Sequence, residues 1–273
     1  MITLNGEVLS FSTFPNGETK VDGHQILSFI REKEEVTLTL KYESDGDLLK
    51  LLFVKDFLDN HVNRVSLEIM YMPYSRMDRA ENTTDVFTLK SVARFINQMD
   101  FTSVLIIEPH SDVTPALIDR SRVTYPTLSF LETVLDAIRF DKDRDYIYFP
   151  DAGAAKRYGK GKEIKKIMQL VGHKSRNWET GELDKLDVVG DIQKDGFKVL
   201  IIDDLCSYGG TFRWGAAKLR EKGASEVYLL VTHCENSIYE KGLLHSGLIT
   251  EVFTTNTIME KSNHEKLIVY KLI

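Results

Sequence analysis

The sequence predicts an α/β protein built as two similar doubly wound domains with mainly parallel sheets. Three observations predict it. Strand-like and helix-like segments alternate along the chain, the order expected of parallel sheets covered by helices on both faces. The length, 273 residues, suffices for one large α/β domain or two smaller ones, each with its own core. A charged stretch, RFDKDRD at 139–145, interrupts the alternation, which then restarts. The boundary is placed there, with an N-terminal domain over 1–140 and a C-terminal domain over 141–273.

In chain order, VLSFSTFPNGETKV reads as a hairpin or projecting loop, with Pro15, Asn16 and Gly17 as turn residues. EVTLTLKY is β-rich. DGDLLKLLFVKDFLDNH has helical spacing, with Asp45 or Asp47 as its cap. VSLEIMYMP is a strand stopped by Pro73, FTLKSVARFINQM a helix, SVLIIEPH a strand and TLSFLETVLDAI a helix. After the boundary come a strand in YIYFP, a helix around KEIKKIMQL and a strand in KVLIIDD. The helix TFRWGAAKLREKG and the strand EVYLLVTH follow.

Composition narrows the function classes. The chain is 42% hydrophobic and 28% charged, with a formal net charge of −6. That acidity argues against non-specific nucleic-acid binding, which needs a basic surface to displace counterions. The start, MITLNGEVLSFSTF, lacks the basic segment and apolar core of a signal peptide. The run LLKLLFV is broken by Lys50 and too short to span a bilayer. Cys206 and Cys234 are widely spaced and suggest neither a disulfide framework nor a zinc site, which fits a reducing cytosol. The expectation is a soluble cytoplasmic protein with no nucleic-acid or membrane partner.

In open α/β sheets, ligands bind beyond the carboxyl ends of the strands. Four strand ends carry polar groups. Tyr74, Ser75, Arg76, Asp78 and Arg79 follow SLEIMYMP, and His110 follows SVLIIEP. Asp151 and Gly153 follow YIYFP, and Asp203, Asp204 and Ser207 to Thr211 follow KVLII. In the last group, Gly209 and Gly210 allow a tight turn and Thr211 opens a helix, whose free N–H donors and partial positive charge suit a phosphate. The two acids would repel that phosphate. They fit if they accept hydrogen bonds from the hydroxyls of a sugar whose other end is the phosphate. The plainer reading, one acid capping a helix and the other solvated, leaves the Gly-Gly-Thr turn unexplained. The pattern reads as a site for a phosphorylated ribose.

That stretch resembles the phosphoribosyl-diphosphate loop of the type I phosphoribosyltransferase fold. Further segments resemble the ribose-phosphate pyrophosphokinases, in that family's order: FPNGE, PYSRMDR, FPDAGAAKR, GHKSR and TNTI. Each is weak alone; together they span nearly the whole chain. The resemblance implies transfer of the diphosphate of ATP to the 1-hydroxyl of ribose 5-phosphate. It implies adenine and phosphate contacts from Phe14, Asn16, Gly17, Glu18, Arg76, Met77 and Asp78. Asp203, Asp204, Ser207, Tyr208, Gly209, Gly210 and Thr211, with Arg176, would hold ribose 5-phosphate. Lys174 and Arg176 would be catalytic, on a flexible loop that continues through NWETGELDKLDVVGD. His110 and Asp151 would lie near Mg²⁺, and the protein would be a homodimer or larger homo-oligomer. Read alone, His110 is a capping residue, Phe14 a core residue, and Lys174 and Arg176 ordinary surface charge. The run Lys156, Arg157, Lys160, Lys162, Lys165 and Lys166 reads as a solvated helix face, with its first members near the polyphosphate.

The chain departs from the family pattern at several positions. Ser207 and Tyr208 stand where the pattern has aspartate and threonine, and Met77 where it has glutamine. HSDVTPALID lacks the segment of regulated members, so little dependence on free phosphate is expected. The chain reads as a compact, divergent member, trimmed at both ends. Two alternatives remain: a phosphoribosyltransferase using the diphosphate, which leaves FPNGE and PYSRMDR unexplained, and a non-catalytic regulatory relative.

Overall fold

The computed structural model describes residues 1–30, 33–176, 183–193 and 195–272, with side chains described outside 174–186. The chain divides into two units, Met1–Thr124 and Tyr125–Ile273. In the first, β1 (Ile2–Leu4) and β2 (Glu7–Val8) lead to a hairpin of β3 (Phe11–Thr13) and β4 (Thr19–Val21). Then follow α1 (Gly23–Phe29), β5 (Glu35–Leu40), α2 (Gly46–Leu58), β6 (Arg64–Ile69), α3 (Thr88–Gln98), β7 (Val104–Ile107), α4 (Val113–Leu117) and β8 (Ser121–Thr124). The sheet order is β2-β1-β5-β6-β7-β8. Strands β5 to β8 pair in parallel, while β1 is antiparallel to β5. Alternate residues of β5 and β6 (Val36, Leu38, Leu40, Val65, Leu67, Ile69) enter one core with Leu51, Val54 and Leu58 of α2 and Leu89, Ala93 and Ile96 of α3.

The second unit contains α5 (Pro126–Ala137), β9 (Tyr146–Phe149), α6 (Ala152–Tyr158), β10 (Met168–Arg176), β11 (Leu183–Val189) and β12 (Lys198–Cys206). It continues through α7 (Gly210–Glu221), β13 (Glu226–Cys234), β14 (Glu251–Thr255) and β15 (Leu267–Tyr270). The order is β11-β10-β9-β12-β13-β14-β15, parallel except for β10 with β11. Successive residues of a strand face opposite sides, and here both sides are buried. Val199 and Ile201 join Phe212, Ala216 and Leu219 of α7, whereas Leu200 and Ile202 join Leu131 and Val134 of α5 with Ala154 and Tyr158 of α6. This is the expected α/β class with mainly parallel sheets, and it explains the unbroken apolar runs.

Several elements differ from the sequence expectation. The division falls between Thr124 and Tyr125 rather than at 140/141, because the apolar face of α5 is buried in the second core, against Ile147 and Phe149. KEIKKIMQL is not a helix. It holds a 3₁₀ turn at Ile164–Lys166, and β10 begins at Met168. Ile164, Ile167 and Leu170 are buried there, and pairing of Met168–Val171 with Tyr146–Phe149 overrides the helical spacing. A helix forms instead at Ala152–Tyr158, where Asp151 Oδ1 accepts from the Ala154 N–H at 3.1 Å. Of the stretch expected as a flexible loop from GHKSR onward, Val171–Arg176 pair antiparallel with Leu183–Val189, Val171 opposite Val189 and Arg176 opposite Leu183, and 177–182 lie outside the described residues. At the cap of α2, Asp45 makes no capping bond. Asp47 is buried and accepts from the N–H groups of Glu43 (3.0 Å) and Ser44 (3.1 Å).

Gly172 is where β10 runs past the end of β9, and a Cβ there would press on the Tyr148 hydroxyl and the Pro150 carbonyl oxygen. Gly172→Ala is expected to lower the unfolding free energy by about 1–3 kcal/mol, measured by thermal or chemical unfolding. A variant as stable as the parent would show that the site tolerates the methyl group.

Candidate functional site

In the second unit the site grows from the end of β12. The strand runs past both acids to Cys206, in register with β13 through Asp203 opposite Val231 and Cys206 opposite Cys234. Asp204 is 3% exposed, and Arg157 of α6 places a guanidinium nitrogen 2.9 Å from its Oδ1. The same nitrogen lies 4.0 Å from Asp203 Oδ1. Asp203 Oδ1 also accepts from the Asp204 N–H at 3.0 Å. Burial, and then the charges of Asp204 and Asp151, hold the Asp203 carboxyl well above the usual range. Burial alone would lower the Arg157 pKa, but Asp204 outweighs it and raises it. The Tyr148 hydroxyl, buried beside these acids, has no hydrogen-bond partner among the described residues. Burial first, then Asp151 and Asp203, push its pKa up.

Beyond Cys206 the chain turns into α7 through Gly209, which has φ +75° and caps the helix without a side chain. A Cβ on Gly209 would run into Leu243, whereas one on Gly210 meets nothing within 4 Å. The conformational demand therefore rests on Gly209. Gly210 and Thr211 are exposed in the first turn of α7, where N–H donors lack intrahelical partners.

In the first unit, Arg76 and Met77 are exposed and Asp78 is buried, all between β6 and α3. Burial pushes the Asp78 carboxyl up. Hydrogen bonds from Ser111 and Arg79, with the charges of Arg79 and His110, more than offset this and lower it. His110, after β7, is thus brought beside Asp78. Asp78 Oδ2 is buried without a hydrogen-bond partner among the described residues. Tyr74, at φ +62°, begins this loop. Such a conformation is costly for a bulky residue and persists where surrounding contacts hold it. The Tyr74 hydroxyl donates to Asp45 Oδ1, as does Tyr42 at 2.6 Å, and the two tyrosine rings meet edge to face. Phe14, Asn16, Gly17 and Glu18 form the exposed tip of the β3–β4 hairpin, closed by Gly17 N–H to Phe14 C=O at 2.8 Å.

Asp151 and Asp203 are thus gathered in the second unit, and Asp78 and His110 in the first. Lys174 and Arg176 lie in β10, and their side chains fall outside the described part. Among the described residues no three His, Cys, Asp or Glu side chains are grouped to hold a metal. Mg²⁺ usually takes one or two carboxylates with waters and substrate phosphates. Asp151 and Asp203, close enough for the charge of one to raise the carboxyl of the other, suit such an ion in kind. Sequence reasoning missed three groups. Arg157 reads as part of a solvated face near the polyphosphate, yet its side chain is 15% exposed and ion-paired to Asp204. Tyr148 reads as one residue of an apolar strand, and Asp45 as one of two candidate caps. Only Arg157 carried a signal, as a cation on the helix that starts at Asp151.

Comparison with known proteins follows the same lines. Residues 163–272 match the phosphoribosyl synthetase-associated domain. The chain is 27% identical over 266 residues to a ribose-phosphate pyrophosphokinase of Sulfolobus acidocaldarius, covering 93% of this chain and 86% of that one. It is 26% identical over 250 residues to a ribose-phosphate pyrophosphokinase of Sulfurisphaera tokodaii, covering 90% and 82%. The crystal structure of phosphoribosylpyrophosphate synthetase from Mycobacterium smegmatis shares the fold, with a TM-score of 0.75 at 20% identity over 97% of this chain and 86% of that one.

Two outcomes follow from the geometry. Arg157→Met strands the buried Asp204 carboxylate and is expected to cost about 3–5 kcal/mol of stability, read by chemical denaturation; an unchanged midpoint would deny the pair its structural role. Gly209→Ala should destabilise the fold, while Gly210→Ala should leave its melting temperature within experimental scatter. Equal melting temperatures for the two variants would contradict the placement of the turn.

Proposed function

Given similarity to ribose-phosphate pyrophosphokinases along nearly the whole chain, we propose that this protein transfers the diphosphate of ATP to ribose 5-phosphate. The products are 5-phosphoribosyl 1-diphosphate and AMP. The observation that carries the reading is the loop from Asp203 to Thr211, which puts carboxylates at one end and free helix N–H donors at the other. A sugar phosphate matches both. Its hydroxyls donate to the carboxylate side, with Asp203 the more available acid because Asp204 is engaged by Arg157. Its phosphate accepts from the first turn of α7.

The 1-hydroxyl oxygen attacks the β-phosphorus in line. The bond from that phosphorus to the oxygen bridging the α-phosphate breaks, AMP leaves with the bonding pair, and the hydroxyl proton is released to solvent or a nearby base. Little covalent chemistry falls to the protein, so catalysis is positioning and neutralisation of charge. Lys174 and Arg176 supply cations to the transferring group. Arg76 contacts the ATP phosphates, Met77 and Asp78 lie beside it, and Phe14, Asn16, Gly17 and Glu18 hold the adenine. His110 and Asp151 are the residues that would stand at Mg²⁺, which when bound shields the polyphosphate charge. The remaining loop contacts, Ser207, Tyr208, Gly209, Gly210 and Thr211, belong to the sugar phosphate. In this reading the protein works in the cytoplasm as a homo-oligomer. No helix among the described residues is long and apolar enough to cross a membrane.

The test is release of AMP from ATP that depends on added ribose 5-phosphate and on Mg²⁺. Lys174→Ala is expected to lower turnover by about 100- to 1000-fold, as for other cations and donors that meet charge chiefly in the transition state. Half-saturating substrate concentrations should change little. No AMP release by the parent protein would refute the activity, and full turnover in the variant would refute the role of Lys174.

A further inference from the structure

The segment that leaves β13 lies along the sugar-phosphate loop residue by residue. Glu235 donates its N–H to the Cys206 carbonyl at 2.8 Å. The hydroxyls of Ser237 and Ser207 are 3.1 Å apart. Lys241 Nζ stands 4.3 Å from the centre of the Tyr208 ring, a cation–π contact. Leu243 occupies the space into which a Gly209 side chain would project. Arg213, in the first turn of α7, donates to the Lys241 carbonyl at 3.4 Å. Four consecutive residues, Cys206 to Gly209, therefore each meet a partner from 235–243. Two of them, Ser207 and Tyr208, are the positions where the chain departs from the family pattern of aspartate and threonine, and both partners are side chains from the same flanking segment. The loop that lacks the usual acid thus has a lysine stacked over its side.

We propose that Lys241 is a positioning residue for ribose 5-phosphate. Stacked on Tyr208, its ammonium holds the turn into Gly209–Thr211 in the form that presents N–H donors, and it places a positive charge next to the loop that takes the 5-phosphate. The inference rests on the reading of that loop as the sugar-phosphate site. Two physical consequences distinguish it from a plain packing role. The effect falls on ribose 5-phosphate and leaves ATP untouched, because the contact is confined to this loop. It also depends on the cation and the ring together. A charge beside a solvent-facing phosphate weakens as salt rises, so the advantage of lysine narrows at high ionic strength.

The experiment measures binding of ribose 5-phosphate and of ATP separately, by calorimetry on the full chain, with melting temperatures alongside. Lys241→Met should weaken ribose 5-phosphate by about fivefold or more, with ATP affinity and melting temperature unchanged. Lys241→Arg should restore most of the loss, since guanidinium also stacks on aromatic faces. Tyr208→Phe, which keeps the ring under the Lys241 ammonium, should bind ribose 5-phosphate more tightly than Tyr208→Thr, which loses it. Turnover at saturating ribose 5-phosphate should be nearly the same in the two Lys241 variants. Equal affinity in the parent and Lys241→Met would overturn the proposal. So would parallel losses of ATP affinity and melting temperature, which mark a strut for the whole unit, or a failure of arginine to restore binding. A parent protein that binds ATP but not ribose 5-phosphate would overturn the reading of the loop itself, and the proposal with it.

Discussion

Strand β12 is hydrogen-bonded along both edges, to β9 and β13, and buried on both faces. The placement of the chemical groups in the second unit follows from that. A strand held on four sides leaves only its end free, and the end carries Asp203, Asp204 and the turn into α7. Its neighbour β9 ends at Phe149, so Asp151 and α6 start beside the same point. Parallel pairing puts these ends at one edge of the sheet, which is why groups far apart in sequence act on one another there. Val199 to Ile202 have no side exposed to water, and a charge on any of them would be buried without a partner.

The cost of crowding carboxylates at a sheet edge is met unevenly. Arg157 neutralises Asp204, which is nearly inaccessible, while Asp203 keeps a carboxyl whose ionised form is opposed by burial and by its neighbours. The Tyr148 hydroxyl is buried beside them without a hydrogen-bond partner among the described residues. Such residual electrostatic stress is what a hydroxyl-bearing ligand or a cation relieves. A site that is imperfectly satisfied by its own side chains has affinity left for something else.

The two units restrain their loops by different means. In the first, two tyrosine hydroxyls converge on Asp45 and support a backbone conformation at Tyr74 that the residue would not adopt alone. In the second, a glycine takes the left-handed conformation without strain, and the flanking segment from Glu235 to Leu243 braces it. Both loops stand at the carboxyl ends of parallel strands, where backbone must leave the sheet and cannot rely on ladder hydrogen bonds.

The α/β class, the strands and helices with strong apolar patterns, the FPNGE hairpin turn and the Asp-Asp to Gly-Gly-Thr passage are all legible in the chain read as a string of residues. These are local properties: a run of apolar residues between turn formers needs no distant partner to be recognised. Other features depend on packing between distant segments. Ile164 to Leu170 have helical spacing, yet β9 offers an open edge, and ladder pairing with it outweighs a weak local preference. The boundary moved to Tyr125 because α5 is apolar on the face the second core lacks. Arg157 looks like one of many surface cations until its helix is packed against β12, and the demand for glycine settles on Gly209 because Leu243 lies against it. Ion pairs and close approaches depend on where distant residues are brought, and neither spacing nor residue type records that.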